Sequence, residues 1–134
     1  MPIDETRRFI PVRIAALTVS DTRSLADDPS GDVLQSRIES SGHILADRAL
    51  VRDDVTSITS HLRKWIGAAD VDVVISTGGT GVTGRDITPE AFEAVIEKPI
   101  PGFGELFRML SYQKIGTATI QYRALAGLAG GTYL

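Results

Sequence analysis

One stretch limits what this chain can fold into more than any other: the near-continuous apolar run Ile14-Ala15-Ala16-Leu17-Thr18-Val19. A strand with one solvated face alternates apolar and polar residues. A strand apolar at both parities needs cover on both sides, as in a parallel sheet sandwiched between helices. The sequence that follows supplies the helices. A polar loop, Ser20 to Ser30, leads to Gly31, which opens a helix carrying Val33, Leu34 and Ile38; Ser41 and Gly42 stop it. Ile44 to Val51 reads as a second strand, less apolar and nearer an edge. Asp53 or Asp54 caps the next helix. Val55, Ile58, Leu62, Trp65 and Ile66 recur there at helical spacing and place Trp65 in the core. Val71, Val73, Val74 and Ile75 form a β-branched third strand ending at Ser76 and Thr77.

Thr88-Pro89 starts a further helix, because proline at a first helical position gives up an amide that lacks a partner anyway. Phe92, Val95 and Ile96 face inward from it. Beyond Pro99 and Pro101, a helix runs through Leu106, Phe107, Met109 and Leu110. A short helix is expected over Ile120 to Ala126, ended by Gly130 and Gly131, with Thr132-Tyr133-Leu134 as a last strand. Alternating strands and helices predict an α/β fold: a three-layer αβα sandwich with a mostly parallel central sheet. Residues 1–11 read as an N-terminal arm and 12–134 as a single domain, without repeat or linker.

Composition narrows the chemistry. The 134 residues contain no cysteine, which removes disulfides, thiolate catalysis and cysteine zinc sites. Net charge is −3, with eleven Arg and three Lys among the basic residues, so no concentrated basic face points to nucleic acid. No apolar run reaches the roughly 18 residues of a membrane span, and the polar start Met1-Pro2-Ile3-Asp4-Glu5 lacks a signal-peptide core. A cytoplasmic protein is expected.

Ligands of such sheets gather beyond the carboxyl ends of the strands, which directs attention to the loops after Val19, Val51 and Ile75. The third is Gly78-Gly79-Thr80-Gly81-Val82-Thr83-Gly84-Arg85-Asp86. Glycines at this density let backbone amides converge on an anion, and Thr77, Thr80 and Thr83 add hydroxyls. Tight turning alone needs fewer of them. Gly79, Gly81 and Gly84 match a dinucleotide fingerprint, but the helix starts only at Pro89 and the motif follows the wrong strand for a nicotinamide enzyme. Gly79 and Gly84 also have P-loop spacing, yet Arg85-Asp86 replaces the required Lys-Ser/Thr.

An aspartate beside a phosphate-cradling loop makes sense where Mg²⁺ bridges the two. Asp86 is that residue, and Asp53 reaches the same mouth unless it merely caps a helix; Asp54 is suited to either job. In the first loop, Ser20-Asp21 and Asp27-Asp28-Pro29-Ser30-Gly31 form either an anion site at a helix N-terminus or an ordinary capped turn. Glu105 and Arg108, at i and i+3, suit a surface ion pair. His43 and His61 have no partners at ligand spacing and read as surface residues.

Taken together, these segments resemble the molybdopterin-binding proteins of molybdenum cofactor biosynthesis, the MoaB/MogA family. The match is carried by Thr18-Val19-Ser20-Asp21, Asp28-Pro29-Ser30-Gly31, Thr77-Gly78-Gly79-Thr80-Gly81, Arg85-Asp86-Ile87-Thr88-Pro89-Glu90-Ala91 and Pro101-Gly102-Phe103-Gly104-Glu105. Phe107-Arg108-Met109-Leu110-Ser111 with Ile115-Gly116-Thr117-Ala118 is similar to the B subgroup. The resemblance implies Mg-ATP-dependent adenylylation of molybdopterin with release of pyrophosphate. It assigns catalysis and Mg²⁺ binding to Asp53 and Asp86. It assigns molybdopterin and ATP binding to Ser20, Asp21, Thr77, Gly78, Gly79, Thr80, Gly81, Arg85, Gly102, Glu105 and Ser111. A homotrimer or homohexamer is implied, as are contacts with other enzymes of the pathway. Members that lose part of the second aspartate motif imply the alternative of a catalytically silent molybdopterin carrier; this chain keeps Arg85-Asp86-Ile87-Thr88-Pro89. The family also continues past the position of Leu134 with the rest of a strand, a Pro-Gly-Ser-type loop and a closing helix that helps line the pterin pocket.

Overall fold

Alternate side chains of the first strand, β1 (Arg13–Val19), enter two different cores in the computed structural model, which describes residues 2–134. Ala15, Leu17 and Val19 join one cluster with Ile58, Leu62 and Trp65 of α2 (Val55–Ile66) and Ala91 and Phe92 of α3 (Thr88–Val95). Ile14 and Ala16 join the other with Ile38 of α1 (Pro29–Ser40). The run is apolar at both parities because helices cover both faces of the sheet. Trp65 is 2% exposed, its indole N–H donating to Asp47 of β2 (Ile44–Val51) at 3.0 Å, so its polar edge keeps a partner.

Three further strands complete the sheet beyond β3 (Val73–Thr77): β4 (Lys98–Pro99), β5 (Gly127–Ala129) and β6 (Thr132–Tyr133), in the order β2-β1-β3-β6-β5-β4. β2, β1, β3 and β6 run parallel, whereas β6, β5 and β4 are antiparallel neighbours. The sheet is therefore mostly parallel, with an antiparallel margin. Prolines 99 and 101 mask β4 in the sequence, since proline sits in sheets only at edges or strand ends.

The expected helix over Ile120 to Ala126 does not form. A 3₁₀ segment, Gly116–Gln121, follows α4 (Pro101–Ile115), and residues 122–126 are extended. Arg108 of α4 donates to the carbonyls of Tyr122 and Ala124 at 3.1 and 3.3 Å, which takes up acceptors a helix would need. Arg108 is thus a backbone clamp and makes no ion pair with Glu105 among the described residues. Gly130 and Gly131, both at positive φ, turn the chain between β5 and β6 rather than ending a helix.

The N-terminus of α1 is occupied by the protein itself. Asp28, 2% exposed, accepts from the Gly31 amide at 3.0 Å, from the Thr18 hydroxyl at 2.9 Å and from Arg48 Nη2 at 3.0 Å. Of the two readings of that loop, the capped turn is the one present, and the helix begins at Pro29, before Gly31. The histidines are half-buried rather than surface residues: His43 Nδ1 accepts from the Val12 amide, and His61 packs edge-on to Trp65.

Candidate functional site

Strand order fixes where the mouth of the fold lies. From β1 the chain crosses to β2 on one side by way of α1, then to β3 on the other side by way of α2, and these helices cover opposite faces. The loops leaving β1 and β3 therefore part at a topological switch point, where open α/β sheets bind ligands. Register makes their tips level: Val19 lies opposite Val51, and Thr18 opposite Thr77.

The third loop is anchored to that mouth by its glycines. Gly78, at φ +100°, passes so close to β1 that a Cβ would stand 2.2 Å from the Val19 carbonyl oxygen. Gly79, at φ +69°, would place one 2.2 Å from Thr88 Oγ1. No side chain fits at either position, and both backbones demand the region glycine tolerates. Thr88 locks the pair by donating its amide to the Gly79 carbonyl at 3.1 Å and its hydroxyl to the Gly78 carbonyl at 2.9 Å. Glycine density thus has a structural use at 78 and 79, and at 81, where a Cβ would stand 2.6 Å from Asp86 Oδ2, while Gly84 is exposed with open space around it.

Three aspartates come near one another here: Asp21 and Asp53 at the tips of β1 and β2, and Asp86 at the far end of the loop after β3. Asp21, after β1, accepts from the Asp53 amide at 3.0 Å and lies 3.8 Å from Arg85 Nη2. Asp53, after β2, accepts from the Ile87 amide at a long 3.4 Å and would stand 3.2 Å from a Cβ on Gly79. Asp54, not Asp53, caps α2 by accepting from Ser57, which leaves the Asp53 carboxylate free. Asp86 accepts from the Thr83 hydroxyl at 2.7 Å and the Thr83 amide at 3.0 Å.

The two principal carboxylates are tuned in opposite directions. Burial, helped by repulsion from Asp21 and Asp86, pushes the Asp53 carboxyl above its ordinary range against the pull of the Ile87 amide. The Thr83 hydroxyl and amide hold Asp86 below it. Among the described residues no group of three or more His, Cys, Asp or Glu side chains is placed to hold a metal ion. The donors on offer are hard carboxylate oxygens, and among the described residues Asp53 has no cationic hydrogen-bond partner. That set suits a cation that takes one or two carboxylates and completes its shell with ligand phosphates and water.

Other predicted residues divide by position. Ser20 Oγ accepts from the Thr22 and Arg23 amides at 3.3 and 3.1 Å, which leaves its proton for an incoming acceptor. Thr77, Thr80 and Gly81 lie along β3 and its loop, and the hydroxyls of Thr77 and Thr80 bond to no protein group among the described residues. Arg85 is exposed beside Asp21. Gly102, Glu105 and Ser111 are on α4 instead. Glu105 lines a separate, mainly apolar groove of about 480 Å³ between α4 and residues 124–126. Sequence reasoning missed Arg123, which bonds to Gly81, Asp86 and Glu90 and borders a pocket of about 270 Å³ beside Thr83 and Asp86. Only the density of bonds around its guanidinium reveals it; a lone arginine after a 3₁₀ turn carries no sequence signal.

Fold and mouth together define a three-layer α/β domain with a glycine-rich, acid-flanked loop at its switch point. A family model described as "Probable molybdopterin binding domain" matches residues 15–132, and the chain belongs to that family. Molybdenum cofactor biosynthesis protein B of Escherichia coli K12 is 46% identical over 126 residues, covering 94% of this chain and 74% of that protein. A crystal structure of a molybdenum cofactor biosynthesis protein B, 41% identical, superposes with a TM-score of 0.90 over 95% of this chain and 80% of the other. The tungsten cofactor synthesizing protein MoaB from Pyrococcus furiosus, 35% identical, gives a TM-score of 0.79 over 89% of this chain and 74% of its own. These relationships place the chain among the proteins of molybdenum cofactor biosynthesis, on a MoaB/MogA-type fold.

Proposed function

We propose that this protein adenylylates molybdopterin: an oxygen of the pterin's terminal phosphate attacks the α-phosphorus of ATP, the bond from that phosphorus to the β-phosphate oxygen breaks, and pyrophosphate leaves. One observation carries the reading. Asp53, at the tip of β2, and Asp86, at the far end of the loop after β3, both stand against the glycine-rich turn: a Cβ on Gly79 would lie 3.2 Å from Asp53 Oδ1, and one on Gly81 2.6 Å from Asp86 Oδ2.

Two anions have to approach each other, so the site must supply positive potential. Asp53 and Asp86 would hold Mg²⁺, which when bound neutralises charge on the phosphates of the nucleotide. The chain's own groups do the rest. Backbone amides of Gly79 and Thr80 and the hydroxyls of Ser20, Thr77 and Thr80 offer donors to phosphate oxygens. Arg85, beside Asp21, adds an exposed cation at the rim. For Gly102, Glu105 and Ser111 the support is the family motif alone. Self-association to a trimer or hexamer is proposed on the same resemblance. The exposure of Phe107, Leu110, Tyr112 and Ile120, which the sheet leaves uncovered, supports it. A cytoplasmic setting follows from the reaction's substrates.

The intact Arg85-to-Pro89 motif favours the enzyme over a silent carrier. Incubated with molybdopterin, ATP and Mg²⁺, the protein is expected to release one pyrophosphate per pterin consumed. Molybdopterin binding without pyrophosphate release would instead select the carrier.

A further inference from the structure

The loop from Thr80 to Asp86 is joined to the rest of the molecule by very few bonds, and one residue makes nearly all of them. Within the loop, the Thr83 amide and hydroxyl meet the Asp86 carboxylate and the Asp86 amide meets the Thr83 carbonyl. Outward, Arg123 donates its backbone amide to the Thr80 carbonyl at 3.0 Å and Nε to the Gly81 carbonyl at 2.6 Å. Its Nη2 reaches the Asp86 carbonyl and its Nη1 the Glu90 carboxylate on α3. Apart from the Arg85–Asp21 pair at 3.8 Å, no other hydrogen bond or ion pair ties residues 80–86 to a distant segment among the described residues.

Arg123 is itself held from behind. Arg108 donates to the carbonyls of Tyr122 and Ala124, the residues on either side of it. Gly104 makes room for this clamp: a Cβ there would stand 2.5 Å from the Ala124 carbonyl oxygen and 3.0 Å from Arg108 Nη2. A continuous chain of contacts thus runs from α4 through Arg108, the 122–124 segment and Arg123 to the backbone of Asp86.

We propose that Arg123 is a positioning residue that closes the glycine-rich loop and sets the place of Asp86, with Arg108 fixing Arg123 from α4. A planar fork with several donors at fixed angles spans both ends of a loop; an ammonium, which acts as a point charge, does not. With Gly81 and Gly84 inside it, an untethered loop would sample many backbone states. What the tether does for turnover rests on the adenylylation reading; the tether itself does not.

The test compares Arg123→Gln, Arg123→Lys and Arg108→Gln with the parent protein by amide hydrogen exchange and by pyrophosphate release. Arg123→Gln should speed exchange within residues 82–86, read at the Thr83 and Asp86 amides that bond inside the loop, about tenfold or more while β1 and α2 keep their protection. It should lower kcat by about 10- to 100-fold with KM for ATP within about threefold, because a misplaced group costs rate more than binding. Arg123→Lys should not restore turnover, whereas tens of millimolar guanidinium added to Arg123→Gln should restore part of it. Arg108→Gln should show the same pattern more weakly, and it decides the matter if the Arg123 variants fail to fold. Unchanged exchange at 82–86, or exchange raised throughout the molecule, would overturn the proposal. If the parent protein released no pyrophosphate, the adenylylation reading would fall while the exchange data still judged the tether.

Discussion

Asp53→Asn should cut pyrophosphate release by about 100- to 1,000-fold and, at neutral pH, raise the melting temperature of the protein. Both effects have one origin. The substitution keeps an oxygen to accept from the Ile87 amide but removes a charge that burial and the neighbouring Asp21 and Asp86 make unfavourable. A carboxyl whose folded pKa is raised burdens the folded state wherever it is ionised, so stability improves when that charge is deleted. The gain should be present at pH 7 and fade as pH falls through the raised folded value toward the unfolded one near 3.8. Asp86→Asn should also remove most turnover, yet leave molybdopterin binding largely intact. Its effect on stability should have the opposite sign. Asp86 is held low by Thr83, so its stabilising contribution is present above the unfolded pKa and lost as pH falls through the folded one. Melting curves of both variants at pH 7 and pH 4, beside their turnover, check the signs. A lower melting point for Asp53→Asn at pH 7, or undiminished turnover, would contradict this view of the pair.

Arg48→Ala is expected to cost about 3–5 kcal/mol of stability, the scale for stranding a buried charge. Arg48 Nη2 reaches both Asp28 and Asp32, at 3.0 and 2.8 Å, and Nη1 donates to Gln35 at 2.9 Å. Burial pushes the Asp28 carboxyl up, but the Gly31 amide, the Thr18 hydroxyl and Arg48 together hold it below its ordinary value. The resulting stabilisation is full above the unfolded value near 3.8 and disappears as pH falls through the depressed folded value. Removing Arg48 leaves the carboxylate with two donors and no counter-charge. Urea denaturation at pH 7 measures the loss. The double variant Asp28→Asn/Arg48→Met should recover much of it, since an absent pair costs less than a broken one. A loss below about 1 kcal/mol for Arg48→Ala would show that the Gly31 and Thr18 bonds suffice.

Periodicity exposed those elements whose side chains choose a face. β1, α2 and α3 were legible because Ile14 to Val19, the Ile58-Leu62-Trp65 stripe and Thr88-Pro89 each state their burial locally. The margin of the sheet was not. β4 and β5 are two and three residues long, and their pairing is set by contacts far away in sequence, such as Lys98 with Leu128. The missing helix after residue 120 has the same origin: Arg108, on another element, takes its carbonyls. At the mouth, residue types announced Asp53, Asp86 and the glycine loop, since spacing alone brings strand tips to one end of a parallel sheet. Sequence could not choose between Asp53 and Asp54 as the cap of α2, because either side chain can do it. Nor could it reveal that Asp28 satisfies the N-terminus of α1, or that Arg123 reaches back across 37 residues to Asp86. Those depend on which donors folding leaves unpaired.

In the proposed reaction, nucleotide and pterin phosphates would meet between Asp53 and Asp86, over the Gly78–Gly81 turn. A crystal structure of the protein grown with Mg²⁺, molybdopterin and a non-hydrolysable ATP analogue tests it most directly. The expected result is phosphate oxygens within hydrogen-bond distance of that turn and a cation ligated by both aspartates. Well-ordered ligands seated in the groove under α4 instead, with neither carboxylate touching cation or phosphate, would contradict it.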